Sequence, residues 1–129
     1  MNNRMNKEEL IELINSLNLD NSDYCVLSSS SLVIREIYPD AGDLDLAVNK
    51  SGFEKLKKSY NLFKKDNGWY IVNEKVECVI DENEVLMREE YDSCSLQNIN
   101  NYYNYLKGSN REKDKLRISL VEDYINKNS

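Results

Sequence analysis

The sequence predicts an α+β (or α/β) fold in which helices flank a small mixed β-sheet. Apolar residues recur with helical spacing near both ends of the chain, and short apolar runs with strand-like patterning lie between them. An Asp-Asn-Gly turn at 66–68 separates two of these runs and indicates a β-hairpin. The predicted order is helix, strand, helix, strand, helix, several strands and two C-terminal helices, which is typical of a small sheet covered by helices.

The length of 129 residues predicts a single domain over 1–129, large enough to bury a core without disulfides. No run of 18 apolar residues exists, so we expect no membrane partner. The N-terminal stretch from Met1 to Asn6 is not followed by the apolar region of a signal peptide. We therefore expect a cytoplasmic location.

The composition excludes several kinds of chemistry. The chain has no histidine, which removes Ser-His-Asp and Cys-His catalysis and histidine metal ligands. Its three cysteines form no Cys-x-x-Cys pair, and Cys25 and Cys78 lie in apolar runs typical of buried thiols. The formal net charge of −6 argues against general DNA binding, whereas a small anionic substrate carried with Mg²⁺ remains compatible.

The first elements follow from capping and periodicity. Residues 7–17 predict an amphipathic helix, with Asn6 as its N-cap and Glu9 as the capping-box partner. Residues 24–27 predict a short buried strand. The serine quartet Ser28–Ser31 follows this strand and leads into a short helix.

The middle of the chain predicts, in order, a loop at 38–42, a strand at 43–49, a helix that includes Phe53 and Leu56, the hairpin about 66–68, and a strand at 76–80. Ser51 is the expected N-cap of the helix. Residues 85–91 fit either a strand or the start of a helix.

Two helices are expected from Ser95 onwards, separated by the break at 107–110. The apolar side of the first contains Leu96, Ile99, Tyr102, Tyr103 and Leu106. The second covers about 111–126 and is expected to bury Leu116 and Val121, among others.

Two aspartates occupy one face of the strand at 43–49. Side chains alternate along a strand, so Asp43 and Asp45 point to one side while Leu44, Leu46 and Val48 point into a core. The two carboxylates lie about 7 Å apart or less and repel each other. A divalent cation relieves this repulsion, and we interpret the pair as a Mg²⁺ site for phosphoryl or nucleotidyl transfer.

Two further segments extend this interpretation. Glu77 interrupts an apolar strand and becomes a third carboxylate if that strand lies beside 43–49. The turn at Ser28 and Ser29 offers hydroxyl and backbone N–H groups to a phosphate. Together these residues predict a site for one or two Mg²⁺ ions and a nucleoside triphosphate, in which the third carboxylate deprotonates an acceptor hydroxyl.

The segment from Val26-Leu27-Ser28-Ser29 to Asp43-Leu44-Asp45-Leu46 resembles the signature of the DNA polymerase beta-like nucleotidyltransferase superfamily. That signature has an apolar strand, Gly followed by Gly or Ser, roughly a dozen residues, and Asp-x-Asp flanked by apolar residues. Arg111-Glu112-Lys113-Asp114 resembles the Arg-x-Lys-Asp element of small bacterial members, which include toxin-type and antibiotic-modifying enzymes. The resemblance covers roughly residues 20–126.

The resemblance implies a minimal nucleotidyltransferase fold in which Asp43, Asp45 and Glu77 are catalytic and bind Mg²⁺. It also implies that Ser28, Ser29, Arg111 and Lys113 bind the nucleotide. The expected reaction transfers a nucleoside monophosphate from a triphosphate to a hydroxyl of a small molecule, protein or RNA. Because Ser28 replaces the first glycine of the signature, a catalytically weakened binding or regulatory module is the alternative, and an interaction domain with incidental acids is a third hypothesis.

Overall fold

The computed structural model describes residues 4–128. The first three residues belong to the N-terminal stretch used above to argue against a signal peptide, and they lie outside the described part. Contacts divide the chain into two compact units, one ending at Gln97 and one beginning at Asn98. The single-domain organisation over 1–129 stays a prediction of the sequence.

The described residues form six helices and seven strands, in the mixed arrangement that the sequence predicts. The helices are α1 (Lys7–Ser16), α2 (Ser28–Ile34), α3 (Lys50–Ser59), α4 (Glu82–Leu86), α5 (Ile99–Gly108) and α6 (Glu112–Lys127). The strands are β1 (Tyr24–Val26), β2 (Leu44–Val48), β3 (Phe63–Lys64), β4 (Tyr70–Ile71), β5 (Val76–Ile80), β6 (Glu89–Tyr91) and β7 (Cys94–Leu96). Within residues 4–128 no helix has the length and apolar content needed to cross a membrane.

All seven strands belong to one sheet in the first unit, in the order β3-β4-β5-β2-β1-β7-β6. The central strand β2 pairs with β5 in parallel and with β1 in antiparallel orientation. Strand β1 also pairs with β7 in parallel, while the β3–β4, β4–β5 and β6–β7 pairs are antiparallel. The sheet is therefore mixed, as expected.

The two faces of the sheet carry different clusters of buried residues. Leu44, Leu46 and Val48 of β2 belong to the large core, to which α1, α2 and α3 also contribute. Ala47 lies on the other face, in a small cluster with Cys25 and with Val85 of α4. Asp45 of β2 and Glu77 of β5 alternate with the core residues, so their side chains extend from this second face.

Several local predictions are confirmed. The capping box of α1 is present, with the Asn6 side chain bonded to the Glu9 N–H and the Glu9 carboxylate bonded to the Asn6 N–H. The hairpin forms as β3 and β4. Cys25 and Cys78 are buried free thiols. The ambiguous segment 85–91 contributes to both types of structure, the end of α4 and then β6.

Three local predictions are wrong. Helix α3 begins two residues earlier than expected, so its N-cap is Asn49, whose side chain accepts the Gly52 N–H at 2.8 Å, and not Ser51. Leu96 lies in β7 rather than in a helix, because pairing with β1 holds it in the sheet. Leu116 is 72% exposed, so the apolar face of α6 does not include it.

The second unit consists of α5 and α6, two helices joined by a short polar connection. Asp114 is buried, and its carboxylate accepts the Ser109 hydroxyl at 2.7 Å. The same carboxylate forms ion pairs with Arg111 at 3.1 Å and Arg117 at 3.5 Å. These bonds fix the first turn of α6.

Gly52 lies at the junction where β2 leads into α3, and a side chain there has no space. A Cβ atom added at Gly52 would lie 2.5 Å from the Asp23 carbonyl oxygen, which also accepts the Asn49 N–H. We expect Gly52→Ala to lower the free energy of unfolding by about 1–3 kcal/mol in chemical denaturation, since the crowding must be relieved by a backbone shift.

Gly108→Ala is the matched control, because a Cβ at Gly108 meets no atom within 4 Å. This variant should leave the free energy of unfolding unchanged or raise it by up to about 1 kcal/mol, since alanine favours helix. Equal stabilities of the two variants would contradict the proposed crowding at Gly52.

Candidate functional site

The pairing of β2 with β5 brings the predicted carboxylates together. Asp45 and Glu77 are direct partners in the parallel register, so their side chains extend from the same face of the sheet. Asp43 immediately precedes β2 and is exposed. Both Asp45 and Glu77 are half-buried. The geometry therefore places Glu77 beside Asp45, as the sequence interpretation requires of its strand.

The environment of Asp45 opposes ionisation of its carboxyl group. Burial raises the pKa of Asp45 to about 6, and the negative charges of Asp43 and then Glu77 act in the same direction. The ammonium of Lys65 acts in the opposite direction without compensating for them. Such carboxylate repulsion disfavours the folded protein and is relieved by a proton or another cation.

Lys65 is the cation of this cluster. Its Nζ atom lies 2.9 Å from Oε1 of Glu77, and the two side chains are 35% and 30% exposed. Lys65 lies just after β3, in the hairpin whose second strand pairs with β5. The cluster thus contains three acidic side chains and one basic side chain.

The turn between β1 and α2 lies next to the aspartates. The Leu27 N–H donates to the Asp45 carbonyl at 2.8 Å, and the Ser30 hydroxyl donates to the Asp43 carbonyl at 2.6 Å. Ser28 and Ser29 are half-buried at the start of α2. Hydrogen bonds therefore join the predicted phosphate-binding turn to the backbone that carries both aspartates.

Ser28 adopts a backbone conformation that favours glycine. Its φ is +57°, in the left-handed region, which costs an L-residue about 1–2 kcal/mol. The superfamily signature has glycine at this position. Ser28 thus adopts, with a side chain, a backbone conformation that glycine adopts without steric cost.

The N–H of Ser28 already has a partner within the protein. It donates to Oε1 of Gln97 at 3.2 Å, and the amide group of Gln97 donates in turn to the Glu84 carboxylate. Gln97 is buried. A phosphate oxygen at this N–H would have to replace the Gln97 side chain.

Arg111 and Lys113, the other predicted nucleotide-binding residues, belong to the second unit. Arg111 precedes α6 and is bound to Asp114, while Lys113 is exposed in the first turn of the helix. Asp114, the last residue of the Arg-x-Lys-Asp element, thus binds the first residue of that element. The ion pair with Asp114 gives Arg111 a structural role at the start of α6. A role of Arg111 in nucleotide binding stays a prediction.

The donor chemistry of the acid cluster fits magnesium, which prefers carboxylate oxygens. Within residues 4–128, no group of three or more His, Cys, Asp or Glu side chains is arranged to hold a metal ion. Protein-bound Mg²⁺ often uses one or two carboxylates and completes its shell with substrate phosphates and water. Asp45 and Glu77, with Asp43 next to them, would supply the oxygen ligands to such an ion.

Two residues of this region, Lys65 and Gln97, were missed by the sequence interpretation. Lys65 carries no local signal, because it is one of several lysines in a polar stretch. Lys65 reaches Glu77 because β3 pairs with β4 and β4 pairs with β5. Gln97 was missed because the segment from Ser95 was assigned to a helix.

Comparisons with protein-family models, with curated proteins and with solved structures found no match for this chain. The superfamily resemblance therefore stays a prediction from the residues.

Replacing Ser28 with glycine tests the turn conformation. Glycine adopts positive φ without steric cost, so we expect Ser28→Gly to raise the free energy of unfolding by about 1 kcal/mol. Ser29→Gly, at the neighbouring helical position, should lower it by about 0.5–1 kcal/mol. Chemical denaturation of both variants checks this, and destabilisation of similar size in both would contradict it.

The raised pKa of Asp45 predicts a pH-dependent stability. Between the unfolded pKa of about 4 and the folded value of about 6, the folded protein binds more protons at Asp45. Its stability therefore falls as pH rises through this range. Because Asp45 is partly exposed, we expect Asp45→Asn to raise the free energy of unfolding at pH 7 by about 1–2 kcal/mol in EDTA.

Denaturation of wild type and Asp45→Asn at several pH values measures this effect, with the exposed turn residue changed in Asp66→Asn as control. The gain in Asp45→Asn should disappear near pH 4, where the wild-type carboxyl is protonated. A gain that persists unchanged at low pH would show that ionisation of Asp45 is not its cause.

Proposed function

We propose that this protein is a Mg²⁺-dependent nucleotidyltransferase that moves a nucleoside monophosphate from a triphosphate to a hydroxyl of a small molecule, protein or RNA. The observation that carries the proposal is the in-register pairing of Asp45 with Glu77, next to Asp43, on the face of the sheet opposite the large core. Repulsion between these carboxylates makes a cation favourable there.

Each carboxylate has a distinct role in the proposed reaction. Asp43 and Asp45 supply oxygen ligands from a rigid strand and its entry, which holds them in a constant position. Bound Mg²⁺ would neutralise phosphate charge and stabilise the attacking and leaving oxygens. Glu77 lies beside Asp45 and accepts the proton of the acceptor hydroxyl as that oxygen attacks.

The turn at Ser28 and Ser29 is proposed to contact the triphosphate. Its hydrogen bonds to the backbone of Asp43 and Asp45, made by Ser30 and Leu27, place it next to the carboxylates. Backbone N–H groups at such a turn donate hydrogen bonds to phosphate oxygens. Arg111 and Lys113 are proposed to contribute positive charge to the nucleotide, as the superfamily resemblance implies.

A binding or regulatory module without turnover is the second candidate. The hydrogen bond between the Ser28 N–H and the Gln97 side chain favours it, because this internal partner occupies a donor that a phosphate would use. The two candidates differ in outcome: an enzyme releases pyrophosphate from the triphosphate, whereas a module binds it unchanged.

Nucleotide binding is the first test. We expect calorimetry to detect binding of at least one of the four common ribonucleoside triphosphates in MgCl₂ and none in EDTA, because phosphate binding beside three carboxylates requires the cation. Asp43→Asn and Asp45→Asn should abolish the Mg²⁺-dependent binding, while Asp66→Asn should preserve it.

Glu77→Gln separates binding from chemistry. It should retain triphosphate binding but slow pyrophosphate release by about 100-fold or more, the usual contribution of a general base. Absence of Mg²⁺-dependent binding for all four triphosphates would overturn the proposal. Binding without pyrophosphate release by wild type, in the presence of varied hydroxyl acceptors, would favour the module.

A further inference from the structure

Lys65 is held firmly at the edge of the carboxylate cluster. Its backbone N–H donates to the Trp69 carbonyl at 2.7 Å, and its carbonyl accepts the Gly68 N–H at 3.2 Å, which closes the hairpin turn. Pairing of β4 with β5 places Ile71 opposite Glu77. The side chain of Lys65 therefore starts from an ordered backbone and reaches the cluster from the side of the hairpin.

The ammonium of Lys65 interacts with two of the three carboxylates. It lies 2.9 Å from Glu77 Oε1, and it also attracts the charge of Asp45. With all groups ionised, three carboxylates and one ammonium leave two negative charges. Lys65 thus reduces the repulsion in the cluster without removing it.

The ion pair between Lys65 and Glu77 is weak enough for the Lys65 ammonium to move to another acceptor. Both side chains are about one-third exposed, and a pair of this kind contributes about 0–1 kcal/mol to stability. Lysine carries its charge on a flexible four-carbon stem and has three rotatable donors. Moving the ammonium to another oxygen therefore costs little when a more highly charged acceptor arrives.

We propose that Lys65 binds a phosphate oxygen of the substrate triphosphate, and that it rests on Glu77 only while the site is without substrate. This inference rests on the proposed nucleotidyltransferase function and adds to it a residue and a movement. A triphosphate presents several anionic oxygens, and lysine binds phosphate as a point charge. Departure of Lys65 also frees Glu77 to accept the proton of the acceptor hydroxyl.

Calorimetry with Lys65→Met tests the proposal. At saturating MgCl₂, the affinity for the triphosphate that wild type binds should fall about tenfold or more, the loss of one charge-assisted hydrogen bond. The affinity for the corresponding nucleoside, which carries no phosphate, should change by less than about threefold, since Lys65 is proposed to act on phosphate. Lys65→Arg should retain most of the triphosphate affinity because it keeps the positive charge.

Lys64→Met is the matched control, because Lys64 is an exposed neighbour of Lys65 and its replacement changes the net charge by the same amount. It should leave triphosphate affinity within about twofold of wild type. Equal affinities in Lys65→Met and Lys64→Met would overturn the role of Lys65 while leaving the nucleotidyltransferase proposal intact. Failure of wild type to bind any Mg²⁺–triphosphate would overturn both.

Thermal denaturation of the same variants separates a folding defect from a binding defect. Lys65→Met should unfold within a few degrees of Lys64→Met, as expected for loss of a partly exposed ion pair. If Lys65→Met and Lys65→Arg lose triphosphate affinity equally while remaining folded, the proposed charge interaction with phosphate is wrong.

Discussion

The parallel pairing of β2 with β5 is the constraint on which the candidate site depends. It aligns Asp45 with Glu77 and, on the opposite face, Leu46 with Cys78 in the large core. A shift of one residue would bury the carboxylates and expose the apolar side chains, so the core and the acid cluster require the same register. Burial of Leu44, Leu46 and Val48 therefore holds the carboxylates together despite their repulsion.

The electrostatics of the carboxylate cluster do not favour the folded protein. Neighbouring carboxylates oppose folding, and Lys65 compensates for only part of that repulsion. In the same region Ser28 has a strained φ, and the buried Gln97 side chain bonds to its N–H. Unfavourable charge and backbone strain commonly occur together at functional sites, and here hydrogen bonds between the turn and β2 join them.

The large core and the candidate site lie on opposite faces of the sheet. Helices α1, α2 and α3 complete the large core on one face, where Cys78 of β5 is a buried free thiol. The other face has the small cluster around Ala47 and the half-buried carboxylates. The proposed site lies on this second face, so changes to Asp45, Glu77 or Lys65 can alter the proposed binding without removing the main core.

The sequence by itself determined most local elements and the strand phase, because apolar alternation and capping act over a few residues: Asn6 with Glu9, the Asp-Asn-Gly hairpin, and the two aspartates opposite Leu44 and Leu46. It also indicated Glu77, since an acid within an apolar strand is a local anomaly. Tertiary structure decided which strands pair, and hence that Glu77 lies beside Asp45, that Lys65 joins them, and that Leu96 belongs to β7. These facts depend on contacts between residues distant along the chain, which no local pattern encodes.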